Sequence, residues 1–122
     1  MLSSGGIAVA GDVPFDQQGE RDNPWWGDPS YRRLPSEASA EDVRFYHLHV
    51  DVSDAKQDLN CLLPLQRLSE LAEAGEISRA APRHYSIMGY NPQPHVLLEE
   101  TVPQIVADLS DDRVDALLLF PA

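Results

Sequence analysis

A chain of 122 residues that is 43% hydrophobic has the size of one domain with a modest core of its own. Its 20 acidic against 9 basic residues give a formal charge of −11, a field that repels nucleic-acid phosphates and anionic membranes, so neither is expected as a partner. A single cysteine, Cys61, excludes an intrachain disulfide framework and a cysteine-rich zinc site and fits a reducing cytoplasm, and neither a membrane-length apolar run nor a signal peptide is evident.

The opening residues 1–11 are small, apolar and glycine-rich, the pattern of a strand end entering a loop where backbone passes close to a neighbour. From 12 to 40, Pro14, Pro24, Pro29 and Pro35 recur among Gly, Asp, Ser and Asn. A long irregular loop is therefore expected, anchored by Phe15, Trp25, Trp26 and Tyr31, with the tryptophans also candidates for partner contacts. Ser39 with Asp42 matches a capping pattern ahead of a strand over 43–51. Residues 63–74 predict a helix with Leu65, Leu68, Leu71 and Ala72 on one face, Pro64 at its start and Gly75 as its left-handed stop. Residues 76–91 read as loop. A second helical pattern follows from Pro94 to Leu109, interrupted by Pro103, with a restart or kink expected near Thr101. Residues 114–120 are an apolar run typical of a buried parallel strand.

This order implies a small α/β layered domain spanning 1–122, with a parallel sheet of the doubly wound type, incomplete, and a long irregular N-terminal loop. Ligands in such sheets sit beyond the carboxyl ends of the strands. On a strand, residues two apart share a face, so His47, His49 and Asp51 would converge on one patch there, with Asp54, Asp58 and His84 as further donors. Nitrogen and oxygen donors of this kind suit a divalent metal such as zinc or iron, and His47, His49 and His84 are equally candidates for acid–base catalysis. In the plainer alternative, the histidines pack or bond a loop carbonyl and the aspartates cap turns. Arg83, with His84, Tyr85 and Ser86, could clamp a substrate carboxylate or pair with a surface acid. Gly5 and Gly6 offer either an anion-binding nest or a tight turn. Cys61, in an apolar stretch leading to a helix, is expected to be buried and structural.

Several segments together resemble the selenoprotein B family of glycine, sarcosine, betaine and D-proline reductases. They are 13–16, 26–32, 47–51, 64–68, 75–77, 114–119 and above all Pro-Arg-His-Tyr-Ser-Ile-Met-Gly at 82–89. The resemblance covers nearly the whole chain and corresponds to the N-terminal portion of the family. It implies a doubly wound fold, an amino-acid-like substrate and reductive cleavage of a carbon–nitrogen bond. In the family, the strand resembling 114–120 leads into a loop bearing a nucleophilic selenocysteine or cysteine, which this sequence does not include. Three functions are therefore expected to compete. The first is a subunit or truncated paralogue that contributes substrate-binding surface within a larger homo- or hetero-oligomeric oxidoreductase. The second is a stand-alone metal-dependent enzyme built on His47, His49 and Asp51, and the third is a non-enzymatic accessory binding protein.

Overall fold

The structure is a computed structural model describing residues 1–122. In chain order its elements are β1 (Leu2–Ser3), β2 (Ile7–Val9), α1 (Gln17–Asp22), β3 (Tyr31–Pro35), β4 (Val43–Phe45), a 3-10 turn (Leu59–Cys61), α2 (Leu65–Glu73), β5 (Arg83–Ile87), a π turn (Leu97–Thr101), α3 (Val102–Asp111) and β6 (Leu119–Phe120). The main sheet has the order β3-β5-β1-β6, with β1 parallel to β5 and β6, and β3 antiparallel to β5. It is the mixed α/β domain with a mostly parallel sheet that the pattern implied. The β2–β4 pair forms a separate antiparallel ribbon. No helix is long and apolar enough to cross a membrane.

The apolar core lies where ribbon, sheet and α2 meet, and comprises Met1, Ile7, Leu34, Val43, Leu59, Leu63 and Leu65. α3 buries Ile105 and is also tied to the sheet by charge. Arg33 Nε donates to Asp108 at 2.6 Å, while Arg83 forks onto Asp112 with two bonds of 2.8 Å and reaches Asp108 at 3.1 Å. Such multidentate pairs are geometrically exacting, unlike a lone surface ion pair.

Four expectations about elements are corrected. The strand over 43–51 ends at Phe45 and belongs to the antiparallel ribbon, so the histidines follow a strand instead of lying on one. Residues 83–87, read as loop, form the central strand β5. The polar His84 and Ser86 conceal it in the sequence, yet both are buried and bonded, with Ser86 Oγ accepting from Ile7 N at 2.8 Å. The run at 114–120 yields only the two-residue β6, and Leu117, Leu118 and Leu119 are exposed. Finally, the stretch 12–40, read as one long irregular loop, holds α1 and β3. The irregularity expected near Thr101 in the second helix is present, because a π turn ends at Thr101 and α3 begins at Val102. A π turn absorbs Pro103: Val102 N bonds Leu97 O, five residues back, and the widened turn makes room for the proline ring. The Thr101 hydroxyl caps nothing, donating instead to Pro29 O at 2.7 Å. α2 and its left-handed stop at Gly75 form as expected, with Pro64 as the cap residue itself.

The close approach anticipated at the Gly5–Gly6 pair is present. Gly6 has φ of +60°, and a Cβ there would lie 2.6 Å from Met88 Sδ and 3.0 Å from His47 N. Gly6→Ala is expected to cost at least about 2 kcal/mol in urea denaturation, combining left-handed strain with a clash against backbone. Arg113 takes the left-handed position after α3, with φ of +56° and Val114 N closing onto Leu109 O. At this site glycine is the favoured residue, so Arg113→Gly is expected to stabilise the fold by about 0.5–1 kcal/mol in the same measurement.

Candidate functional site

The parallel strands β1, β5 and β6 direct their carboxyl ends at segments 4–6, 88–90 and 121–122, where an open α/β sheet gathers ligands. These segments are tied together: Ser4 N bonds Phe120 O at 3.0 Å, Ala122 N bonds Ser4 Oγ at 2.8 Å, and Gly6 N bonds Ile87 O at 3.0 Å. His47 lies over this edge. A Cβ on Gly89 would stand 2.7 Å from His47 Nε2 and 2.9 Å from Ser4 O, so only glycine lets the imidazole approach. Burial depresses the pKa of His47, opposed by the charge of Glu20.

His49 follows in the turn, with its N–H donating to His47 Nδ1 at 3.2 Å and its ring against Tyr90 at 4.7 Å between centroids. Its Nε2 is 2.7 Å from Oε1 of Glu20. That contact is close but lacks the alignment of a directed hydrogen bond, and neither Glu20 oxygen has such a partner. Glu20 is only 6% exposed and is carried by α1, a short helix capped by Asp16 and pinned through Gln17 Nε2 to Tyr46 O at 2.7 Å. Glu20 was not among the sequence candidates. One carboxylate among many, in a stretch read as irregular loop, carries no spacing signal.

The other candidates lie elsewhere or are already engaged. Asp51 turns away and accepts from Ser53 N and Oγ at 2.9 and 2.6 Å, so its pKa falls; Asp58 does the same with Asn60. No group of three or more His, Cys, Asp or Glu side chains is gathered, and the proposed zinc or iron centre of His47, His49 and Asp51 does not fit this arrangement. The reason is the early end of β4, which removes the two-residue periodicity that would have aligned them. The Gly5 and Gly6 amides are occupied by Ser3 Oγ and Ile87 O, leaving no open nest. Arg83 is committed to α3 and its pKa is raised, chiefly by its bond to Asp112. Tyr85 is fully buried on the same face of β5, with its hydroxyl pushed up to about 12 by burial. His84 and Ser86 face the opposite side, within the core. His84 Nδ1 is 2.9 Å from the Met1 amino nitrogen and its pKa falls to about 4, through burial and then the charge of that amine. A carboxylate clamp of Arg83, His84, Tyr85 and Ser86 is thus not assembled, because adjacent residues of a strand face opposite ways. Cys61, expected to be buried, is exposed at the end of the 3-10 turn.

No family model and no solved structure matches the chain. Among curated proteins it is similar to D-proline reductase subunit gamma of Acetoanaerobium sticklandii, 37% identical over 119 residues. The match covers 98% of this chain and 46% of that protein, so the chain spans about half the length of the curated relative. The similarity supports a relation to the amino-acid reductases.

The buried neutral His84 sets a pH dependence. With a folded pKa of about 4 against an ordinary 6.5, the unfolded chain binds the extra proton between those values. The His84 contribution is therefore complete above about pH 6.5 and disappears as pH falls toward 4. Wild-type protein is expected to lose on the order of 2 kcal/mol across that window. In His84→Gln that slope should flatten, as read from urea midpoints at each pH.

Proposed function

We propose that this chain is part of an amino-acid reductase, in which it contributes substrate-binding surface at the carboxyl edge of its parallel strands within a larger oxidoreductase assembly. The observation that carries this reading is the 37% identity to a D-proline reductase subunit along 98% of the chain. Two structural features support it. The edge brings His47 and His49 onto the ends of β1 and β5, where an amino-acid-sized ligand would be held. The start of the marginal strand β6 and the two residues before it present Leu117, Leu118 and Leu119 at 38, 49 and 65% exposure, an apolar rim suited to packing against further protein.

Reductive cleavage of a carbon–nitrogen bond needs an electron-pair donor, which imidazoles and carboxylates cannot replace. On this reading the thiolate or selenolate comes from another part of the assembly, and the present residues bind and orient the substrate. The test is to isolate the tagged chain under native conditions from its own cells, identify what accompanies it by mass spectrometry, and assay amino-acid-dependent oxidation of a dithiol with D-proline first. The expected result is a stable complex containing a reactive cysteine or selenocysteine, with dithiol consumed only when an amino acid is supplied. A chain recovered alone, with no amino-acid-dependent thiol oxidation, would overturn the proposal.

A further inference from the structure

At the carboxyl edge two side chains hold buried polar atoms without partners, and they lie on the two segments that close around His49. Both oxygens of Glu20 and both amide atoms of Asn91 lack a hydrogen-bond partner. The Glu20 side chain is 3% exposed and its one ion-pair contact is with His49, whose own side chain is 57% exposed. Asn91 follows Tyr90, the residue whose ring rests on His49. The same loop is pressed against segment 24–27: Tyr90 donates its hydroxyl to Pro24 O, and a Cβ on Gly27 would meet Tyr90 O at 2.3 Å. Trp26 in turn closes on Gly19, the residue before Glu20, where a Cβ would lie 2.7 Å from its indole.

A carboxylate has about four acceptor positions and is held inside a protein only when donors or a counter-charge occupy them. Here none is filled by a directed bond, and the group that covers Glu20 stands half in solvent. We infer that Glu20 is the anionic anchor of a binding site for a protonated amine, closed in this structure by the displaceable imidazole of His49. The ligand class follows from the chemistry of the cluster. An anion is repelled by the carboxylate. A divalent metal would need more donors than Glu20 and His49 provide, and no third is gathered. An ammonium brings positive charge and several N–H donors together, which is what an unfilled carboxylate lacks. Once His49 swings out, Tyr90 offers its ring face to the same cation. This deepens the amino-acid reading, and depends on it only for the choice of probe.

The test uses the intact chain and NMR titration with three probes: pyrrolidine hydrochloride, D-proline and N-acetyl-D-proline, the last of which has no protonated nitrogen. The two amines are expected to shift the His49 and Tyr90 ring signals saturably, whereas the acetylated compound leaves them in place. Glu20→Gln, which preserves volume and removes the charge, should weaken pyrrolidinium binding at least tenfold. His49→Ala opens the site and keeps the carboxylate, so it should bind pyrrolidinium as well as wild type or better, and it serves as the deciding variant if Glu20→Gln does not fold. Equal binding of the acetylated compound, unchanged affinity in Glu20→Gln, or abolished binding in His49→Ala would each overturn the assignment. Charge-dependent amine binding by a chain that has no reductase partner would retain the site and reject the reductase reading. A reductase complex whose chain binds amines independently of Glu20 would do the reverse.

Discussion

The candidate site depends on one backbone crossing. β1 belongs to the parallel sheet and β2 to the antiparallel ribbon, and only residues 4–6 separate them. The chain makes this passage with Gly6 at φ of +60°, stitched on both sides: Gly6 N to Ile87 O, Tyr46 N to Gly6 O, and Ile7 N to Ser86 Oγ. These bonds bring the exit of β4 onto the end of β5, and His47 arrives there because of them. Gly89 completes the approach from the opposite side, its missing Cβ leaving space for the imidazole. The edge is built on backbone proximity, and two positions without side chains make that proximity feasible.

Charge does unusual structural work in so acidic a chain. Arg33 and Arg83 fasten α3 to the sheet and lower the pKa of Asp108 and Asp112 through those bonds. Arg32 orders the long N-terminal loop from within, donating to Val13 O at 2.6 Å and Pro14 O at 2.8 Å while its guanidinium stacks on Phe15 at 4.1 Å. An aromatic anchor for that loop was expected, and Phe15 is one; Trp25 stays 70% exposed. The loop also gained α1 and β3, elements its proline content had hidden. Three of the eight arginines are thus engaged within the fold, in a chain with 20 acidic against 9 basic residues. A buried carboxylate without directed donors, Glu20, is correspondingly conspicuous against so economical a use of cations.

The site was partly legible in advance. His47 and His49 stand out in the sequence and lie near the carboxyl edge, but not on a shared strand face. Their expected convergence with Asp51 required a strand through residue 51, and the ribbon stops at Phe45. In its place came a partner 29 residues earlier, Glu20 against His49, which neither strand nor helix periodicity could suggest. Pro-Arg-His-Tyr-Ser was legible as a motif but not as a strand: its polar residues resemble a functional loop, whereas Arg83 serves α3 and His84 and Ser86 serve the core. Alternation along β5 sends neighbours to opposite faces, dividing what looked like one clamp between two structural tasks.

By itself the sequence determined the fold class, the single apolar face of α2 with its glycine stop, the acidic field, and the glycine pair where backbone had to pass closely. These follow from periodicity, φ preference, the order of elements and summed charge, none of which requires knowing which distant segments touch. Tertiary structure alone decided which strand is central, how Pro103 is absorbed, where Cys61 is exposed, and which carboxylate faces the histidines. Those features are contacts between segments tens of residues apart, set by burial and by the pairing of polar groups as the layers close. No window along the chain records them.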